Sequence, residues 1–149
     1  MNDTMKLEIP ARSENEPFAR DVVAAFSLRL NPTLDELSDV KTAVSEAVTN
    51  CIVHAYGSDP RGSIRIECEA DEDTLHIRIS DSGRGIGDVA QAIQPFFTTL
   101  EDEERSGMGF TIMQTFMTTF RVQSALGAGT VVTMSKKFSG AREELAHAQ

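Results

Sequence analysis

The chain has 149 residues, 40% apolar and 25% charged, an ordinary globular composition that predicts one domain with a real core. It carries 14 Lys and Arg against 23 Asp and Glu, a net charge of −9. That balance argues against direct binding to DNA or RNA, which draws most of its affinity from a basic footprint; it is compatible with a basic protein partner and equally with simple solubility.

Cys51 and Cys68 sit in apolar patterns and form no CxxC pair. Buried free thiols in a reducing cytoplasm are expected, not a disulfide or metal site. Residues 1–9 lack the apolar run of a signal peptide. No stretch nears the roughly 18 apolar residues of a membrane span. A cytoplasmic location without a membrane partner is expected.

Leu7-Glu8-Ile9 alternates up to Pro10, predicting a short first strand. Ser13 stands three residues before Glu16, with Pro17 just inside, which marks a helix start. Phe18, Val22, Phe26 and Leu30 predict that helix's buried stripe. Asn31-Pro32-Thr33 breaks it. A second helix runs from near Thr33 to Gly57, with Leu37, Val40, Val44, Val48, Cys51 and Ile52 inward. Ile64, Ile66 and Cys68, then Leu75, Ile77 and Ile79, alternate with polar residues and predict an antiparallel hairpin linked through Asp71-Glu72-Asp73. Val89 to Ile93 suits a short helix. Pro95 to Ser106 reads as irregular, ending in the acidic run 101–104. A third main helix is expected from about Gly109 to Thr119, with Ile112, Phe116 and Phe120 on one side. A last hairpin pairs 121–126 with 130–138 across Gly127-Ala128-Gly129. Residues 139–149 read as a polar, fraying tail after a single domain over 1–138. The sum is a two-layer α/β sandwich, a mixed and mostly antiparallel sheet with helices on one face.

Three segments carry candidate chemistry. Glu46 and Asn50 lie four residues apart, on one helix face beside apolar neighbours. Polar groups there need polar partners. An Asn carbonyl suits Mg²⁺, which takes few protein oxygens, and Glu46 is placed to accept a proton from an attacking hydroxyl. An isolated pair of this kind is more often an ordinary solvated Glu and a surface Asn. His54 continues the face, but a lone His is more often structural.

Asp81 ends a strand before Gly83 and Gly85. A carboxylate accepts and does not donate, so it takes adenine's amine and rejects guanine's carbonyl. The glycines permit close approach to a flat base or a sharp turn. Asp-Ser-Gly is also a common plain turn.

Gly107 and Gly109 open a helix whose free N–H groups suit phosphate. Arg105 adds a cation for the terminal phosphate; Ser106 and Met108 lie near the same point. A flexible loop ending in a helix cap is the alternative. Thr130 starts the last strand and can offer its hydroxyl, or simply favour strand structure. Thr98 and Thr99 sit in the irregular segment, a candidate lid or a functionless acidic loop. GxxxxGK[ST] is absent and no lysine follows a glycine loop. Any ATP chemistry must run on Mg²⁺, arginine and helix-end amides.

Glu46…Asn50, Asp81-Ser82-Gly83-Arg84-Gly85, Gly107-Met108-Gly109 and Thr130 resemble, in order, the four boxes of the gyrase, MutL, heat-shock chaperone and histidine-kinase ATPases, over about residues 40 to 133. A bare domain of this size is similar to the anti-sigma serine kinases. Val44–Asn50 and Glu104–Met113 are similar to the sporulation anti-sigma F factors in particular. The resemblance implies a Bergerat-type ATP-binding fold, a homodimer that sequesters a sigma factor, and serine phosphorylation of an anti-anti-sigma antagonist with ATP-Mg²⁺. It implies Glu46 as base and Asn50 as Mg²⁺ ligand. Asp81 becomes the adenine reader, Gly83, Gly85, Gly107 and Gly109 shape the pocket, and Thr98 and Thr99 lie in the lid. Competing readings are a nucleotide-gated binding module without turnover, a detached histidine-kinase ATP domain and a stand-alone hydrolase.

Overall fold

A computed structural model describes residues 2–93 and 109–139. The segment Pro95 to Ser106 and the tail beyond Ser139, both read above as irregular, lie outside the described residues.

The chain runs β1 (Asp3–Pro10), α1 (Asn15–Ser27), a 3-10 turn (Leu28–Leu30), α2 (Leu34–Asn50), a π-helical turn (Cys51–Ala55), β2 (Ser63–Asp71), β3 (Thr74–Asp81), α3 (Val89–Ala92), α4 (Gly109–Phe116), β4 (Thr119–Ala125) and β5 (Gly129–Lys137). The strands form one sheet in the order β1-β2-β3-β5-β4. Every adjacent pair is antiparallel, so the described sheet has none of the parallel pairing a mixed sheet implies.

The alternation in β2 and β3 sorts the two faces. Ile64, Ile66, Cys68, Leu75, Ile77 and Ile79 are buried, while Arg65, Glu69, His76 and Arg78 are exposed. The buried face meets Ala19 and Val23 of α1, Val40, Val44 and Val48 of α2, and Phe110 and Met113 of α4 in one core. Among the described residues, helices therefore cover one face of the sheet, giving two layers. Cys51 and Cys68 are both buried and free.

Four local expectations need correction. The buried stripe of α1 is Ala19, Val23 and Phe26, whereas Phe18 remains 49% exposed. Small Ala19 lets α1 pack against α2, which turns Phe18 outward. Ser13 is not the α1 cap: Glu14 holds that place with no side-chain bond. Glu16 then stands one position too early to close a capping box. The real box is Thr33–Glu36, where the Glu36 amide donates to Thr33 Oγ1 at 3.1 Å and the Thr33 amide to Glu36 Oε1 at 2.9 Å. In α4 the buried residues are Phe110 and Met113, with Met117 just beyond, and the helix stops at Phe116. Ile112 and Phe116 are partly buried; two stripes of equal period competed, and the core took the other one. Ser139 is anchored, not frayed: its amide and hydroxyl both donate to Glu36 Oε2, at 2.9 and 3.1 Å.

Candidate nucleotide site

Helix α2 carries Glu46 and Asn50 beside fully buried Ala43, Val44, Ala47 and Val48. Gly109, the first residue of α4, comes down on both. A Cβ built there would lie 3.3 Å from Glu46 Oε2, 3.3 Å from Asn50 Nδ2 and 3.5 Å from Asn50 Oδ1. Gly109 of the third segment is thus packed directly against Glu46 and Asn50 of the first. Among the described residues the buried Asn50 Nδ2 has no hydrogen-bond partner, a state that costs about 1–3 kcal/mol. Burial pushes the Glu46 carboxyl above its ordinary range, and the negative charge of Glu16 adds to the shift.

After Asn50 the α-helix widens into the π-turn, where the Tyr56 amide reaches Cys51 O at 3.2 Å. Such single turns are rare and cluster at functional sites. The Ala55 carbonyl, at the end of this turn, accepts the Arg84 amide at 3.0 Å. The glycine loop is thereby seated on the end of the helix that bears Glu46 and Asn50.

Asp81 is the last residue of β3, the middle strand, paired with Thr130 of β5. The Gly83 amide donates to Asp81 Oδ1 at 3.0 Å; the Cys51 thiol and the Thr130 amide also donate to the carboxylate. Burial outweighs these donors and pushes Asp81 above the usual carboxylate range. Cys51 is itself pushed well up, by burial first and then by the Asp81 charge, so it remains a thiol and a donor.

The loop glycines allow the sharp turn that was one of the two expectations for them. A Cβ on Gly83 would overlap the Ala55 carbonyl, and one on Gly85 would overlap the Ala125 carbonyl. Gly85 also has φ +75°, which side chains disfavour. Both close approaches are to protein backbone.

Between the end of α2, the glycine loop and β5 lies a cavity of about 300 Å³, at the small end of ligand sites. Asn50, Asp81, Gly85 and Thr130 line it, with Phe110 and Leu126 as apolar wall. Glu46, Gly83 and Gly109 are not lining residues. Thr98, Thr99, Arg105, Ser106, Gly107 and Met108 lie outside the described residues.

Several participants escaped the sequence reading. Cys51 reads as core by its spacing, yet it donates to Asp81. Tyr56, the one tyrosine of the chain, donates to Ser63 O at 2.6 Å and accepts the Ser82 amide at 2.8 Å. It ties the start of the glycine loop to β2. Ser124 holds the other end of that loop, accepting the Ile86 amide at 2.7 Å. The lone tyrosine was the only available signal; nothing in the sequence of the π-turn or around Ser124 marks them.

Residues 9–136 match the histidine kinase-like ATPase domain. The chain is 52% identical over 138 residues to the anti-sigma F factor of Clostridium beijerinckii, covering 93% of this chain and 96% of that protein. It is 53% identical over 135 residues to that of Caldanaerobacter subterraneus subsp. tengcongensis, covering 91% and 94%. The chain belongs to the anti-sigma F factor family. The fold agrees with solved structures. The RsbU and RsbW domains of Rv1364c from Mycobacterium tuberculosis superpose with a TM-score of 0.66 at 16% identity, over 91% of this chain and 32% of that one. The catalytic domain of histidine kinase ThkA gives 0.58 at 16% identity, over 90% and 98%. Family membership makes this a nucleotide-binding domain of the ATP-dependent kinase type. Among the described residues no helix is long and apolar enough to cross a membrane.

Proposed function

We propose that the chain sequesters a sporulation sigma factor and phosphorylates a small anti-anti-sigma protein on serine, with ATP-Mg²⁺ as donor. The observation that carries this reading is the packing of Gly109 against Glu46 and Asn50, with Asn50 lining the same cavity as Asp81 and Thr130. The likeness to anti-sigma F factors supplies the partners.

Asp81 accepts the adenine amine and so orients the nucleotide. The phosphates then run toward Asn50 and the N-terminus of α4, whose free amides favour anions. The acceptor serine hydroxyl attacks the γ-phosphorus, the bond to the β–γ bridging oxygen breaks and ADP leaves. Glu46 takes the hydroxyl proton; its raised proton affinity suits that task, and general-base catalysis of this kind contributes about 10²–10⁴-fold. Asn50 lines the cavity, and its carboxamide oxygen, not the buried nitrogen, suits a hard cation that takes few protein oxygens and keeps most of its water and phosphate ligands. Mg²⁺ held by Asn50 would supply charge neutralisation at the phosphates.

On the resemblance to this family, Arg105 is assigned to the terminal phosphate, Ser106, Gly107 and Met108 to the phosphate end, and Thr98 and Thr99 to the lid. A homodimer in the cytoplasm, with the ATP-binding domain over 1–138 and a polar tail over 139–149, completes the reading. The alternative is a module in which nucleotide only gates partner binding.

The test is to incubate the chain with ATP-Mg²⁺, the sigma factor and the antagonist, then treat the labelled product with acid. Serine phosphate survives acid. Acid-labile label indicates a histidine kinase, and nucleotide-dependent sigma binding without label indicates the gated module.

A further inference from the structure

The hairpin β4–β5 carries a side chain that the site residues above leave unexplained. Ser124 is partly buried on the inward side of β4. Its Oγ accepts the Ile86 amide at 2.7 Å, and its single proton has two acceptors in reach, Gly129 O at 2.8 Å and Thr130 Oγ1 at 2.8 Å. Around it the hairpin turn grips the whole glycine loop. The Gly127 amide donates to Arg84 O at 2.7 Å, the Ala125 carbonyl abuts Gly85, and Leu126 leans on Gly87, where a Cβ would lie 3.2 Å from its Cδ1. Gly85, Ile86 and Thr130 line the cavity, whereas Ser124 does not.

A hydroxyl has one proton. With the Ile86 amide filling one lone pair, Ser124 has two arrangements. It donates to Gly129 O, and Thr130 then spends its proton on Ser124 and shows the cavity only lone pairs. Or it donates to Thr130, whose own proton is then free to point into the cavity. The second arrangement matters because Thr130 is paired with Asp81 across β3 and β5. Adenine presents an amine donor beside a ring-nitrogen acceptor, and guanine presents the reverse. Asp81 as acceptor with Thr130 as donor therefore fits adenine at both positions.

We propose that Ser124 is a positioning residue for nucleotide binding: its hydroxyl fixes the glycine loop through Ile86 and sets Thr130 to donate to the base. This rests on the nucleotide reading of the cavity. Leaving the Ile86 amide and the Thr130 hydroxyl without their partner weakens both at once.

The test is calorimetric titration of the full chain with ADP and GDP. Ser124→Ala should bind ADP about tenfold more weakly and show a narrowed preference for ADP over GDP. Ser124→Thr, which keeps the hydroxyl, should stay within about twofold of wild type. Because the two hydroxyls act as a unit, Ser124→Ala with Thr130→Val should lose less than the product of the single losses. If Ser124→Ala melts early, Ser124→Cys carries the comparison, with an intermediate loss from its weaker donor. Wild-type ADP affinity in Ser124→Ala, or single losses that simply multiply, would overturn the proposal. Failure of the wild-type chain to bind either nucleotide would instead remove the nucleotide reading, and this inference with it.

Discussion

Gly109 of α4 stands so close to Asn50 of α2 that a Cβ on the glycine would lie 3.3 Å from the Asn50 side-chain nitrogen. That is tighter than an ordinary contact, and Glu46 Oε2 is equally near. Gly109→Ala should therefore separate stability from function. Alanine favours the helix by about 1 kcal/mol, and Gly109 has no positive φ to make it strained. The melting temperature should hold or rise, while phosphoryl transfer falls about tenfold because the carboxylate and carboxamide are displaced. Unchanged transfer would show that the contact does not position them.

Asn50→Ala is predicted to act on the cation alone. Among the described residues Nδ2 makes no hydrogen bond, and its removal relieves a buried unpaired donor. Stability should hold or increase. ADP affinity without Mg²⁺ should persist, and the gain in affinity that Mg²⁺ gives the wild type should disappear. A gain that survives in the variant would place the cation elsewhere.

Asp81 gives a pH signature with a defined sign. Its folded pKa is raised, burial being the first cause, so the folded state favours the protonated carboxyl. The cost is absent below the unfolded value of about 4, develops as pH rises through the window up to the raised folded value, and is complete above it. Asp81→Asn carries no such cost. The melting temperature of Asp81→Asn minus that of wild type should increase with pH across that window and then level off. The same variant should lose ADP binding at neutral pH. A difference independent of pH would show that Asp81 is not held at a cost.

Tyr56→Phe removes one donor and one acceptor, the bonds to Ser63 O and from the Ser82 amide. At about 1 kcal/mol for each, urea unfolding should show a loss of about 2 kcal/mol. ADP should bind several-fold more weakly, because the loop loses its anchor. Full stability in the variant would remove Tyr56 from the scaffold.

The sequence made the sheet legible because β2 and β3 alternate cleanly, and alternation with one buried face sets the register. Thr33 and Glu36 show why a capping signal is weak alone: the same spacing at Ser13 and Glu16 marked no cap. Phe18 and Ile112 show that periodicity finds a helix but not its buried face when two stripes compete. The convergence of Glu46, Asn50 and Gly109 was legible because α2 and the start of α4 each carry their own pattern. The π-turn was not, since Cys51-Ile52-Val53-His54-Ala55 continues an apolar helix with no glycine or proline to mark the change. Ser124 was hidden for a further reason: its partner Ile86 comes from a loop 38 residues away that meets β4 only in the folded chain.

The central claim is that Glu46 removes the proton during transfer from ATP to a serine. Single-turnover transfer of labelled γ-phosphate to the antagonist, in wild type and Glu46→Ala at saturating ATP-Mg²⁺, tests it most directly. The account predicts acid-stable label on serine, a variant slower by about 10²–10⁴-fold, and ATP affinity close to wild type in both. Transfer at the same rate in Glu46→Ala, or tight ATP binding with no transfer from the wild type, would contradict it.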